Sequence, residues 1–182
     1  SEVRPMMMTT PSEDHFAVLR DKINARLEEL ELPHRREQQA YDWLYGALGK
    51  VPAEVMFICE NPSLAGVRHA HVETIDGGPP DIEAQWWGGP RSACAKRFRG
   101  ALCELDLKTT AIAARGGWNC YITNVIKEAN VAGEQAAMPF STRLNQARLW
   151  APILRWELDQ VRPSHIITVG QRAHAVVIGL EK

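Results

Sequence analysis

Three short apolar-rich runs, each ending in a polar turn, constrain this chain most. They are Val55-Met56-Phe57-Ile58-Cys59, Asn119-Cys120-Tyr121-Ile122-Thr123-Asn124-Val125 and His165-Ile166-Ile167-Thr168-Val169. A short continuous run without polar alternation reads as a strand buried on both faces, as in a parallel sheet. Helical spacing fills the intervals. From Glu13 to Leu30 the apolar residues fall at Phe16, Leu19, Ile23, Leu27 and Leu30, with Ser12 as N-cap. A second helix is predicted from about Arg36 to Leu48, ended by Gly49 and followed by Pro52. Ala95, Phe98, Leu102 and Leu105 mark another, with Ser92 as its cap. Ser141 to Val161 reads as a long helix in which Pro152 predicts a kink or a late start, and Pro163 breaks it. Gly170 opens a last helix. Strands alternating with helices imply the α/β class: a three-layer α/β/α sandwich around a short central parallel sheet. The 182 residues suit one domain over 1–182, with 1–12 flexible.

In such sheets ligands bind outside the carboxyl ends of the strands. Two of those ends are Glu60-Asn61-Pro62-Ser63 and Asn124-Val125-Ile126-Lys127. They are far apart in sequence and expected to be neighbours in space. Glu60, Asn61, Asn124 and Lys127 therefore form the candidate site on physical grounds alone.

Charge sharpens the picture. The net charge of −1 excludes a polybasic protein that binds through bulk charge. Locally the balance swings. Between Val51 and Pro90, Glu54, Glu60, Glu73, Asp76, Asp81 and Glu83 face Arg68 alone. From Arg91 to Lys127, seven basic residues (Arg91, Lys96, Arg97, Arg99, Lys108, Arg115, Lys127) face only Glu104 and Asp106. That block reads either as a solvated face or as a phosphate footprint. The long segment from Leu64 to Pro90 holds Trp86-Trp87-Gly88-Gly89, and loops of this length are usually functional or disordered.

Other chemistries find little support. Cys59, Cys94, Cys103 and Cys120 form no CxxC pair, which argues against a disulfide framework or a zinc ribbon. Cys59 and Cys120 lie in strand-like runs and read as reduced, buried thiols. His69 and His71 form an HxH without an assignable third ligand, so no metal and no cofactor are expected. Ser63 lacks a nucleophile elbow. No apolar run approaches the ~18 residues of a membrane span, and the first residues show no signal pattern. A cytoplasmic monomer is the resulting expectation.

Four segments in order resemble one family. Phe57-Ile58-Cys59-Glu60-Asn61-Pro62-Ser63 looks like the first motif of the uracil-DNA glycosylase superfamily, a hydrophobic strand entering a polar turn. Tyr121-Ile122-Thr123-Asn124-Val125-Ile126-Lys127 resembles the strand of its thermostable bacterial and archaeal branch. Arg162-Pro163-Ser164-His165-Ile166-Ile167-Thr168-Val169-Gly170 and the helix from Lys96 to Leu107 resemble two further pieces. The resemblance covers roughly Val55 to Val177.

It implies hydrolysis of the N-glycosidic bond of uracil, or of a related deaminated base, in flipped-out DNA. By position Asn61 holds the attacking water, with Glu60 as an accessory carboxylate. Asn124 reads the base: its amide donates to uracil O4 and accepts from N3–H, a pattern cytosine inverts. Trp87, with Trp86 as the alternate, supplies a flat wall. Arg91, Ser92 and Lys127 contact the DNA backbone. Cys59 replaces the family's Gly, and Ser63 stands where other members carry Tyr or Gly, so exclusion of thymine is not assured. Lys127-Glu128-Ala129-Asn130 departs from the cluster-bearing branch, so no iron–sulfur cluster is expected. The family's C-terminal His-Pro-Ser motif is not found. Two other readings stay open: a weak or inactive DNA- or nucleobase-binding protein of the same fold, and an unrelated hydrolase of small nucleosides, which predicts activity on free deoxyuridine.

Overall fold

The computed structural model describes residues 11–32, 47–62, 93–110, 116–130 and 132–182. Its elements in chain order are α1 (Pro11–Leu30), β1 (Leu48–Gly49), β2 (Val55–Cys59), α2 (Ala93–Glu104), β3 (Cys120–Asn124), α3 (Ala132–Ala137), α4 (Phe140–Val161), β4 (His165–Thr168) and α5 (Gln171–Glu181). They form an α/β unit around an open, mixed sheet in the order β1-β3-β2-β4. β2 lies between β3 and β4 and pairs with both in parallel, while β1 adds two antiparallel residues beside β3.

Residue alternation divides the core. Met56, Ile58 and Tyr121 point to one side and pack with Leu19, Ile23 and Leu27 of α1, Trp150 and Leu154 of α4 and Val176 of α5. Phe57, Cys120 and Ile122 point to the other side and meet Leu102 of α2, together with Leu48 and Trp118. Phe98 of α2 meets Phe57 edge to face at 5.3 Å. Apolar residues on both faces of the central strands thus bury against helices on both sides, as the continuous runs predict.

Several boundaries depart from the sequence reading, each for a local reason. α1 starts at Pro11, so Ser12 lies within it and is not its cap. Proline's fixed φ and missing N–H suit the first helical turn. Gly49 does not end a helix; it belongs to β1, paired with Tyr121, at φ +119. A Cβ there would stand 2.2 Å from the Cys120 carbonyl oxygen. Leu105 falls beyond α2 and is exposed. α4 is one helix from Phe140 with Pro152 inside it on the exposed side, so the late start does not occur. It ends at Arg162 in the left-handed region, whose N–H returns to Leu158 O at 2.9 Å, just before Pro163. Among the described residues β4 lies at an edge of the sheet and is not a buried strand: Ile166 is 49% exposed and Ile167 44%. Residues 36–46, the segment 64–90 and residues 1–10 of the start expected to be flexible lie outside the described residues, while Pro11 and Ser12, the rest of that start, belong to α1. Among the described residues no helix is long and apolar enough to cross a membrane.

Candidate functional site at the carboxyl ends of β2 and β3

The parallel register sets Cys59 opposite Asn124. The ladder continues past the strands: Val125 N–H donates to Cys59 O and Ile126 N–H to Glu60 O, both at 2.9 Å. Asn130 N–H reaches Pro62 O at 3.3 Å. The turn after β2 and the loop after β3 are therefore stitched together, and Glu60, Asn61 and Asn124 become neighbours as the sequence implies. The two strands also send the chain to opposite faces, β2 toward α2 and β3 toward α4. In open α/β sheets, ligands bind where neighbouring strands diverge in this way.

Asn61 is half-buried, and its Nδ2 donates to Pro62 O at 2.9 Å. That bond fixes the amide and leaves Oδ1 as the accepting end. Asn124 is buried at the strand end. Cys59 is half-buried, less enclosed than a core thiol, whereas Cys120 is fully buried and its thiol is pushed up to about 12 by desolvation. Glu60 leans toward α3 and α4. Its Oε1 accepts from Gln135 Nε2 at 3.4 Å and lies 3.6 Å from Arg143 Nε, with both charged side chains mostly buried.

Lys127 does not face a phosphate. It is fully buried, and its ammonium meets Thr123 Oγ1 at 2.5 Å and the Glu157 carboxylate. Desolvation pulls the lysine toward its neutral form, and the Glu157 charge opposes that pull. Its neighbours in the loop are interior too, since Val125, Ile126, Glu128 and Ala129 are buried. Two more of the seven basic residues are also inside: Arg99, and Lys108, whose ammonium lies 4.8 Å from the Trp118 ring centroid. The basic block is thus only in part a surface feature. Trp86, Trp87, Ser63, Arg91, Ser92, His69 and His71 lie outside the described residues.

The sequence reading missed the carboxylate at the centre of this region. Glu157 Oε1 accepts from Tyr121 OH at 2.8 Å and from Thr123 Oγ1 at 2.7 Å, while Oε2 takes Lys127. His15 of α1 adds Nε2 to Tyr121 OH at 3.0 Å and stacks on Trp156 at 4.9 Å. Because the tyrosine donates to Glu157, the histidine must be protonated at Nε2 and bare at Nδ1. Burial holds this imidazole neutral by lowering its proton affinity. One signal was legible: Glu157 occupies the apolar stripe of α4 between Trp150, Leu154 and Val161, where an acid needs a partner.

Glu128 forms a second polar contact with α4. Its Oε1 accepts from Gln146 Nε2 at 2.6 Å, and burial raises its proton affinity while the Trp150 indole opposes the rise. Among the described residues no group of three or more His, Cys, Asp or Glu is placed to hold a metal. The arrangement gathers amides and a paired carboxylate at the strand ends, groups of the kind that hold a planar polar molecule and a water. Comparison with protein-family models, curated proteins and solved structures gives no match.

Proposed function

We propose that this chain is a base-excising enzyme of the uracil-DNA glycosylase type, acting on uracil or a related deaminated base in DNA. The observation that carries this reading is the pairing of Cys59 with Asn124, which sets the Glu60-Asn61 turn beside the amide expected to read the base. In the proposed reaction the bond from sugar C1′ to base N1 breaks and its electron pair leaves with the base. The oxygen of a water bonds to C1′, and a water proton ends on the base. A dissociative reaction of this kind needs a positioned water more than a strong base. Asn61, with Nδ2 committed to Pro62 O, presents Oδ1 for that task. Glu60 is assigned a supporting role, because Arg143 and Gln135 already hold its carboxylate. The same engagement favours the second reading, a weak or inactive binder of DNA or nucleobase with this fold. The finer architecture, an α/β/α sandwich of the glycosylase kind, belongs to this proposal too. Its supports are helices against both sheet faces and three parallel strands.

The test offers an oligonucleotide with one deoxyuridine as single strand, opposite G and opposite A, beside free deoxyuridine. Release of uracil from the oligonucleotides and not from the nucleoside supports the proposal. Release from the nucleoside alone indicates a small-molecule hydrolase. Salt-sensitive DNA binding without release indicates the binder.

A further inference from the structure

We propose that Glu157 is a positioning residue for Asn124, acting through Thr123 and Lys127. The inference rests on the proposed base-reading role of Asn124 and extends it to what holds that amide in place.

Four side chains meet in the interior: Tyr121, Thr123, Lys127 and Glu157 are all fully buried. Tyr121 and Thr123 are two apart on β3, so both hydroxyls leave the same face and converge on one carboxylate oxygen of α4. Lys127 then closes the loop. It reaches back four residues to Thr123 Oγ1 and at the same time to the second oxygen of Glu157. Asn124 is the first residue inside that closed turn. On one side Thr123 is held by its side chain. On the other, Val125 and Ile126 are held by their backbone bonds to Cys59 and Glu60. The backbone carrying Asn124 is thus pinned from one face of the sheet through Thr123 and edgewise by the neighbouring strand.

A buried ion pair is a poor way to gain stability, because desolvating two charges offsets most of their attraction. Its better-supported use is to enforce one arrangement over others. A planar amide reads a base only while its oxygen and nitrogen ends are held. A site that hydrogen-bonds its substrate rejects the inverted pattern because buried groups then go unpaired. Loosening the Thr123–Lys127 turn is therefore expected to cost base preference before it costs the fold.

The experiment uses the full chain with Glu157→Gln and Thr123→Val. The second variant removes a single hydroxyl, and it decides the matter if the first does not fold. Side-chain amide resonances of 15N-asparagine-labelled protein are recorded, with Asn124→Ala assigning the Asn124 pair. Free uracil and free cytosine are then titrated. The expected result is a wild type that prefers uracil, variants that lose that preference by about tenfold or more, and a shifted Asn124 amide pair in each folded variant. Variants with unchanged Asn124 resonances and unchanged preference overturn the inference. A wild type that binds neither base counts against the proposed function, and the resonances alone then decide whether Glu157 positions Asn124.

Discussion

At the scale of single residues, the interior network makes claims about charge. Removing one member of a buried ion pair leaves the other uncompensated. Glu157→Ala is therefore expected to destabilise by about 3–5 kcal/mol in a denaturant titration. The double variant Glu157→Leu with Lys127→Met, apolar at both positions, is expected to recover most of that loss. His15 sets a pH dependence. Its imidazole is neutral in the fold and its proton affinity is lowered by burial. Near the buried ring stand Tyr121, Glu157 and Lys127, with Phe16 and Trp156 packed on it. The unfolded chain takes up the proton near the ordinary histidine value of 6.5, while the folded chain resists it. Its stabilising contribution is complete above that pH and is lost as the pH falls below it. Urea midpoints at pH 7.5 and 5.5 are expected to differ by more in the wild type than in His15→Gln. Cys120, buried and pushed up to about 12, is expected to resist alkylation in the native protein and to react on unfolding.

At the scale of elements, the sequence was most legible where periodicity was strict. The strand cores at Val55–Cys59 and Cys120–Asn124, the helices ending at Leu30 and Val161, and the helix opening after Gly170 follow directly from apolar spacing. It was least legible where a long-range contact overrides the local signal. Gly49 carries the mark of a helix end, yet its role is to let β1 approach the Cys120 carbonyl closely. Gly49→Ala is expected to destabilise by about 1–3 kcal/mol through its positive φ, and by more through the close contact. A thermal melt checks it. Lys127 reads as a surface cation only while α4 is out of view. Its burial follows from a partner thirty positions away that local spacing does not link to it.

At the scale of the whole molecule, the sheet explains where the candidate site falls. Three parallel strands with helices on both faces leave the carboxyl ends of β2 and β3 as the place where polar groups gather without disturbing the core. Asn61 and Asn124 were legible as candidate site residues because both stand where a buried strand meets a turn. Their support was not legible, since Arg143, Gln135 and Glu157 come from helices whose packing one sequence does not fix. The most direct test follows strand breaks at a deoxyuridine after alkali, using the wild type, Asn61→Ala and Asn124→Ala. If the two strand ends form one catalytic site, the wild type breaks the strand and each variant loses at least about a hundredfold in rate. An inactive wild type, or variants that cleave as fast as it does, would contradict the account.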